Sequence, residues 1–236
     1  RLDIKRKIFK NIEEVCSNQT IIASSTSGIK PTDLQNEMKN PERLMVTHPF
    51  NPVYLIPLVE VVGGNKTEYK FIKKIIDFFN SINMQPIHLK KEIEAFVADR
   101  LLEAIWRESL WLIKDGICTT SELDDIVRYG FGLRYAQMGV FQTYRTAAGE
   151  GGMRKFLEHF GPCLTWPWTK LMDVPEFNDE LIDLITYQSD KQANGLSVTE
   201  LEQIRDKNLV EIQKALEKNN YGAGRLIKKA RVKKSL

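Results

Sequence analysis

Of the chain's three histidines, only His48 has neighbours suited to moving a proton. It sits in Thr47-His48-Pro49-Phe50-Asn51-Pro52, twelve residues ahead of Glu60 in Leu58-Val59-Glu60-Val61-Val62-Gly63-Gly64. Pro49 and Pro52 set a bend between them. A neutral imidazole can take the proton of an alcohol while hydride leaves the same carbon. A carboxylate on its other ring nitrogen would fix the tautomer and stabilise the imidazolium that forms. Alone, a strand-end histidine beside such a glutamate reads first as structural. His88 and His159 have no partner pattern and read as structural or surface residues. Cys16, Cys118 and Cys163 are odd in number and far apart, with neither a disulfide framework nor a metal-ligand spacing. They fit reduced thiols in a cytoplasmic protein, and no metal site is expected.

The elements that must carry His48 and Glu60 alternate helix and strand. Residues 4–15 have an amphipathic helical pattern, and 20–24 form a short apolar strand ending in Ser/Thr/Gly loop residues. Thr32 and Gln35 have the spacing of a capping box for a brief helix. Residues 43–47 and 58–62 read as strands, 69–81 as a helix and 86–89 as the last strand. This interleaving predicts an α/β sheet with parallel pairing. From Ile93, apolar residues recur at Phe96, Val97, Leu101, Ile105, Trp106 and Leu110, the period of a helix that stops at Asp115-Gly116. Thr119 with Glu122 predicts a second capped helix ending near Gly130, and Ser197 with Glu200 a third running to about Lys218. No trustworthy strand signal follows Leu89.

An apolar share of 42% and a charged share of 28% belong to an ordinary globular chain, whose length allows one large domain or two small ones. The net charge of +3 is close to balance, and much of the excess is Lys228, Lys229, Arg231, Lys233 and Lys234. Such a tail can touch nucleic acid or anionic lipid, but a solvated, frayed terminus is the plainer reading. No apolar run approaches the ~18 residues of a membrane span. The first residues hold no hydrophobic signal core. Neither a nucleic-acid nor a membrane partner is expected.

The order of strand, Ala23-Ser24-Ser25-Thr26-Ser27 loop, strand, His48-Pro49-Phe50-Asn51-Pro52 and Leu58-Val59-Glu60-Val61 resembles the catalytic block of the L-3-hydroxyacyl-CoA dehydrogenase superfamily. The resemblance implies His48 as general base, Glu60 as its orienting carboxylate, and Ser27 beside the nicotinamide and the substrate oxygen. It places Lys5 and Asn51 on the cofactor side, with NAD as cofactor. With Asn51-Pro52 and the serine loop at matching separations, the reading of His48 turns from structural to catalytic. The implied fold class is α/β: the C-terminal half of a Rossmann dinucleotide-binding domain, then an all-helical domain like that of 6-phosphogluconate dehydrogenase. The helical domain would form a homodimer. The expected domains are 1–91, 92–227 and a basic tail at 228–236. Rossmann domains open on a Gly-x-Gly-x-x-Gly turn, which is absent here; Gly149-Glu150-Gly151-Gly152 has the wrong spacing. The family's first ~90–100 residues are therefore expected to be missing, and this chain alone to have little NAD affinity or turnover.

One departure bears on substrate. Where the superfamily has Gly-Phe-x-x-Asn-Arg, this chain has Ala95-Phe96-Val97-Ala98-Asp99-Arg100. An aspartate has no evident use beside a thioester carbonyl, whereas beside a quaternary ammonium it offers charge compensation. Pairing with Arg100 or another cation is the structural alternative. Residues 131–145 and 160–170, including Trp166-Pro167-Trp168, resemble the carnitine-oxidising members of the superfamily. This implies NAD-dependent oxidation of L-carnitine at its 3-hydroxyl. Phe141, Tyr144, Trp166 and Trp168 are then candidate faces for the trimethylammonium, each worth ~0.5–2 kcal/mol. Arg134 or Arg145 would hold the carboxylate. The plainer alternative makes these aromatics helix-packing residues and the arginines surface ion pairs. Competing functions are oxidation of 3-hydroxyacyl-CoA, oxidation of L-gulonate, which the Gly132-Leu133-Arg134-Tyr135 element also resembles, and a non-catalytic, crystallin-like dimerisation module.

Overall fold

The computed structural model describes residues 1–136, 139–147, 152–160, 178–196 and 198–234. The first half is a four-stranded sheet between helices. Helix α1 (Leu2–Val15) leads into strand β1 (Ile22–Ser24), short helix α2 (Pro31–Gln35), strand β2 (Leu44–Pro49) and strand β3 (Leu58–Gly63). Helix α3 (Tyr69–Ser81) and strand β4 (Gln85–Leu89) complete it. The strands lie in the order β1-β2-β3-β4.

Pairing is mixed rather than parallel throughout. β1 runs parallel to β2 and β3 parallel to β4, but β2 and β3 are antiparallel. The cause is the connection: residues 50–57 are too few for a crossover, which needs about a dozen or more, so the chain turns back on itself. This reversal sets the site. In the antiparallel register His48 stands directly across from Glu60, and Val46 across from Val62.

Each face of the sheet has its own core. Leu44, Val46 and Val62 pack with Phe9, Ile22, Leu34 and Phe96 on one side. Met45, Val59 and Val61 pack with Phe71, Ile72 and Ile75 on the other. Leu2, Phe9 and Ile12 share one stripe of α1, and Phe71, Ile72 and Ile75 one stripe of α3, so single apolar faces close both cores. By strand alternation His48 and Glu60 continue the stripe of Val46 and Val62, ending an apolar face in a polar pair.

Two local expectations give way to tertiary contacts. Thr32 and Gln35 form no capping box: α2 has Lys30 as its N-cap, without a side-chain cap. The Thr32 amide instead donates to Glu92, and the Gln35 amide donates to the Pro41 carbonyl and to Thr67. Gly64 permits that packing, because a Cβ there would fall 2.5 Å from Gln35 Oε1 and 2.7 Å from the Thr32 nitrogen. The expected helix from Ile93 begins only at Ala98, as α4 (Ala98–Lys114). Ala95 and Phe96 take left-handed backbone angles, φ 57° and 48°, which turn the fully buried Phe96 into the core.

The chain divides into two compact units, Arg1–Leu101 with Ala223–Leu236, and Leu102–Gly222. The second unit is helical. The rest of α4 is followed by α5 (Thr120–Tyr129), α6 (Phe131–Tyr135), α7 (Gly139–Ala147), α8 (Gly152–Phe160), α9 (Asp179–Ala193) and α10 (Val198–Lys218). The expected stop of α4 holds: Gly116, at φ 67°, lets the Ile117 amide reach the Leu112 carbonyl and its own amide that of Ile113. Thr119 and Glu122 make the reciprocal capping box of α5. Ser197, the expected cap of α10, lies outside the described residues. The tail expected to fray runs largely within helix α11 (Gly224–Lys234), in keeping with the helix preference of lysine and arginine. Among the described residues no helix is long and apolar enough to cross a membrane.

Candidate active site

The centre of the site is the cross-strand pair. His48 Nδ1 lies 3.0 Å from Glu60 Oε2, and both residues are buried. With the carboxylate accepting, Nδ1 carries the proton and Nε2 keeps its lone pair. The ring is held from the sides by Phe50, at 5.3 Å between centroids, and Phe96, at 5.6 Å.

Glu60 does a second job. Its Oε1 accepts the backbone N–H groups of Val97 and Ala98, each at 3.0 Å. These are orphan donors at the start of α4, where the helix dipole also favours negative charge. One carboxylate thus orients the imidazole and caps a helix, and its orientation is set from both ends. The left-handed pair Ala95-Phe96 delivers these amides. Glu92, bonded to the Thr32 amide, and Glu94, 2.7 Å from Lys30, tether the segment leading to it. Lys30 is held above the ordinary lysine range by its hydrogen bond to Glu94, and Glu94 below the usual carboxylate range.

Asp99, one residue into α4, brings Oδ2 to 3.9 Å from His48 Nε2. Its side chain is 27% exposed. The expected alternative of an Arg100 partner is not what the structure has. Among the described residues no lysine or arginine lies within ion-pair distance of Asp99.

A second cluster lies at the carboxyl ends of the parallel strands. Ser24, at the end of β1, is buried, and its hydroxyl is 3.5 Å from Lys5 Nζ. Ser24 pairs in register with Val46, two residues before His48, so both side chains emerge on the same face. The crevice beyond the carboxyl ends of such strands is where open α/β sheets bind their ligands. Ser27 and Asn51 lie in exposed turns at this end.

His48, Glu60 and Asp99 are therefore brought together, with Lys5 beside Ser24. Arg134, Phe141 and Tyr144 belong to the other compact unit. Arg134 and Phe141 are exposed, and Tyr144 stacks on Phe156 at 4.8 Å. Trp166 and Trp168 lie outside the described residues. The sequence reading missed Ser24, the two backbone amides on Glu60, and the aromatic walls of His48. Strand alternation back from His48 through Val46 could have found Ser24; nothing local marks the amides.

Comparison with known proteins bears on this geometry. The family description "3-hydroxyacyl-CoA dehydrogenase, NAD binding domain" matches residues 1–93, and "3-hydroxyacyl-CoA dehydrogenase, C-terminal domain" matches 96–174. The chain is 65% identical over 225 residues to the L-carnitine dehydrogenase of Mesorhizobium japonicum, covering 95% of this chain and 62% of that protein. It is 51% identical over 212 residues to the L-carnitine dehydrogenase of Oceanobacillus iheyensis, covering 90% and 69%. Among solved structures it resembles 5-formyl-3-hydroxy-2-methylpyridine 4-carboxylic acid 5-dehydrogenase, an NAD+-dependent dismutase, with a TM-score of 0.73 and 25% identity over 92% of this chain and 70% of that one. The chain spans less than two thirds of the Mesorhizobium protein's length.

Proposed function

The chain belongs to the 3-hydroxyacyl-CoA dehydrogenase family, and from that premise we propose that the whole protein oxidises the 3-hydroxyl of L-carnitine to 3-dehydrocarnitine with NAD. The observation that carries the reading is His48 held at Nδ1 by a buried glutamate, with Nε2 left as acceptor. Nε2 takes the hydroxyl proton as the C3–H bond gives up hydride and the carbonyl forms. Glu60 accepts a hydrogen bond from Nδ1–H throughout and stabilises the imidazolium. Its bonds to the Val97 and Ala98 amides keep it from turning away. A base so placed contributes ~10²–10⁴-fold in rate.

NAD, when bound, supplies the acceptor for hydride. The residues present fit its nicotinamide side: Ser24 and Lys5 meet at the carboxyl end of β1, on the face that bears His48, with Ser27 and Asn51 in the adjoining turns. On the substrate side the proposal assigns Phe141, Tyr144, Trp166 and Trp168 to the trimethylammonium and Arg134 to the carboxylate. The exposure of Arg134 and Phe141 supports this, since neither is committed to a core.

The proposal extends to a cytoplasmic homodimer. Ile105, Trp106, Ile126 and Leu133 in the helical unit are 45–62% exposed, and apolar surface on this scale calls for a partner. Cys16 and Cys118 are free thiols, in keeping with a reducing compartment. The test is NADH formation by the whole protein from L-carnitine, L-gulonate and a 3-hydroxyacyl-CoA in parallel. Preference for carnitine is expected. Preference for either of the others overturns the reading.

A further inference from the structure

Resting on that reaction, we infer that Asp99 is a charge filter, which admits a hydroxy acid carrying a fixed cation beside its reacting hydroxyl and disfavours neutral ones. At 3.9 Å the Asp99 oxygen is beyond hydrogen-bonding distance of His48 Nε2, so the carboxylate is not committed to the base. No lysine or arginine among the described residues pairs with it. Glu60 satisfies Nδ1 and the amides of Val97 and Ala98 without help from Asp99.

What remains is a partly shielded negative charge bordering the space into which Nε2 points. The hydroxyl that gives its proton to Nε2 must enter that space. An ionised carboxylate only accepts hydrogen bonds, so Asp99 cannot polarise a substrate carbonyl as an asparagine amide could. Beside an uncharged acyl chain it would be a desolvated charge without a partner. In a 3-hydroxy acid with an ammonium group on C4, two carbons separate the cationic nitrogen from the hydroxyl oxygen. An oxygen bound at Nε2 therefore brings that cation within Coulombic reach of Asp99. Among the described residues the other groups in contact with His48 are Phe50, Glu60 and Phe96, none of them cationic, while Lys5, on the same face of the sheet, is directed to Ser24. Proton transfer then leaves the imidazolium between Glu60 and Asp99.

The test compares L-carnitine with its uncharged isostere, in which a tert-butyl group replaces the trimethylammonium, in the full-length protein with NAD. Asp99→Asn should raise the KM for L-carnitine about tenfold or more, with a smaller change in kcat. The same change should leave the isostere equally or more tightly bound as a competitive inhibitor. Asp99→Glu, which keeps the charge, should restore most of the preference. Equal losses for both compounds, or a loss confined to kcat, would overturn the charge filter while carnitine turnover by the unaltered protein upheld the reaction. Absence of carnitine turnover in the unaltered protein would overturn both.

Discussion

The two compact units differ most in the polar groups they bury. Both leave large apolar side chains exposed, Val15 and Tyr54 in the first as well as Tyr129 and Phe141 in the second, but the first also buries an acid and a histidine side by side. In the sheet unit the buried polar residues include Ser24, His48 and Glu60, and the last two are hydrogen-bonded to each other. In the helical unit apolar side chains such as Trp106 and Ile126 are more than half exposed, and α4, α5 and α6 flank an open apolar groove of about 340 Å3 lined by Ile105, Leu112, Val127 and Phe131. Burying charge is costly unless every lone pair and proton is matched, so a unit that does so is built around those groups. Exposing apolar surface is likewise unfavourable until something covers it. The first unit keeps a matched polar pair in its interior, and the second borders an apolar groove with exposed apolar side chains.

The largest expected effect breaks the chemistry of the first unit while sparing its fold. His48→Gln should lower kcat by ~10⁴-fold, with circular dichroism unchanged, because the glutamine fills the space but cannot accept the proton. Residual turnover within tenfold of the parent would remove His48 as the base.

Glu60→Gln is the sharper test, because the two ends of this side chain have different partners. The amides of Val97 and Ala98 require an acceptor, so the glutamine carbonyl must face them. Its NH2 then faces His48 Nδ1 and forces the ring proton onto Nε2, the nitrogen that should be free. A fall in kcat of ~10²-fold or more with little loss of Tm is expected, as with other misplaced imidazole tautomers. Nitrogen-15 spectra of the ring should report the switched tautomer. An unchanged tautomer with the same loss of rate would show that Glu60 acts by charge alone.

For the helical unit, Ile105→Glu places a charge on its apolar face and should weaken self-association about tenfold or more, read by light scattering across concentration. An unaltered mass at every concentration would mean that this face is not the contact surface.

The smallest effect lies at the joint into α4. Ala95 holds φ 57°, a conformation that is unfavourable for an L-residue with a Cβ and is open to glycine. Ala95→Gly should therefore stabilise the protein by ~0.5–1 kcal/mol and raise Tm by a few degrees, despite the greater freedom glycine gains when unfolded. A fall in Tm would show that the alanine methyl has a packing role that outweighs the strain.

Ala95 also shows where legibility ended. The superfamily motif that this segment resembles has glycine at this position, but helical periodicity runs straight through it from Ile93. The apolar spacing of Phe96 and Val97 is real, yet it serves the sheet core and a backbone cap rather than a helix face. The Thr32-Gln35 spacing failed likewise, because those side chains and amides answer to Glu92 and Thr67 from distant segments. Where partners are local the reading was sound: Thr119 with Glu122 gives the cap it promised, and residues 69–81 form the expected helix.

By itself the sequence determined the family, the candidate base with its carboxylate, and those helices that carry a clear apolar period or a local cap. Each of these is written either in a motif or in a repeat only a few residues long. Tertiary structure decided the antiparallel turn that sets His48 across from Glu60, the left-handed joint that brings two amides onto that glutamate, and the approach of Asp99 to the nitrogen left free. These depend on which segments can share a core once the chain reverses, and contacts between residues far apart in sequence leave no periodic trace.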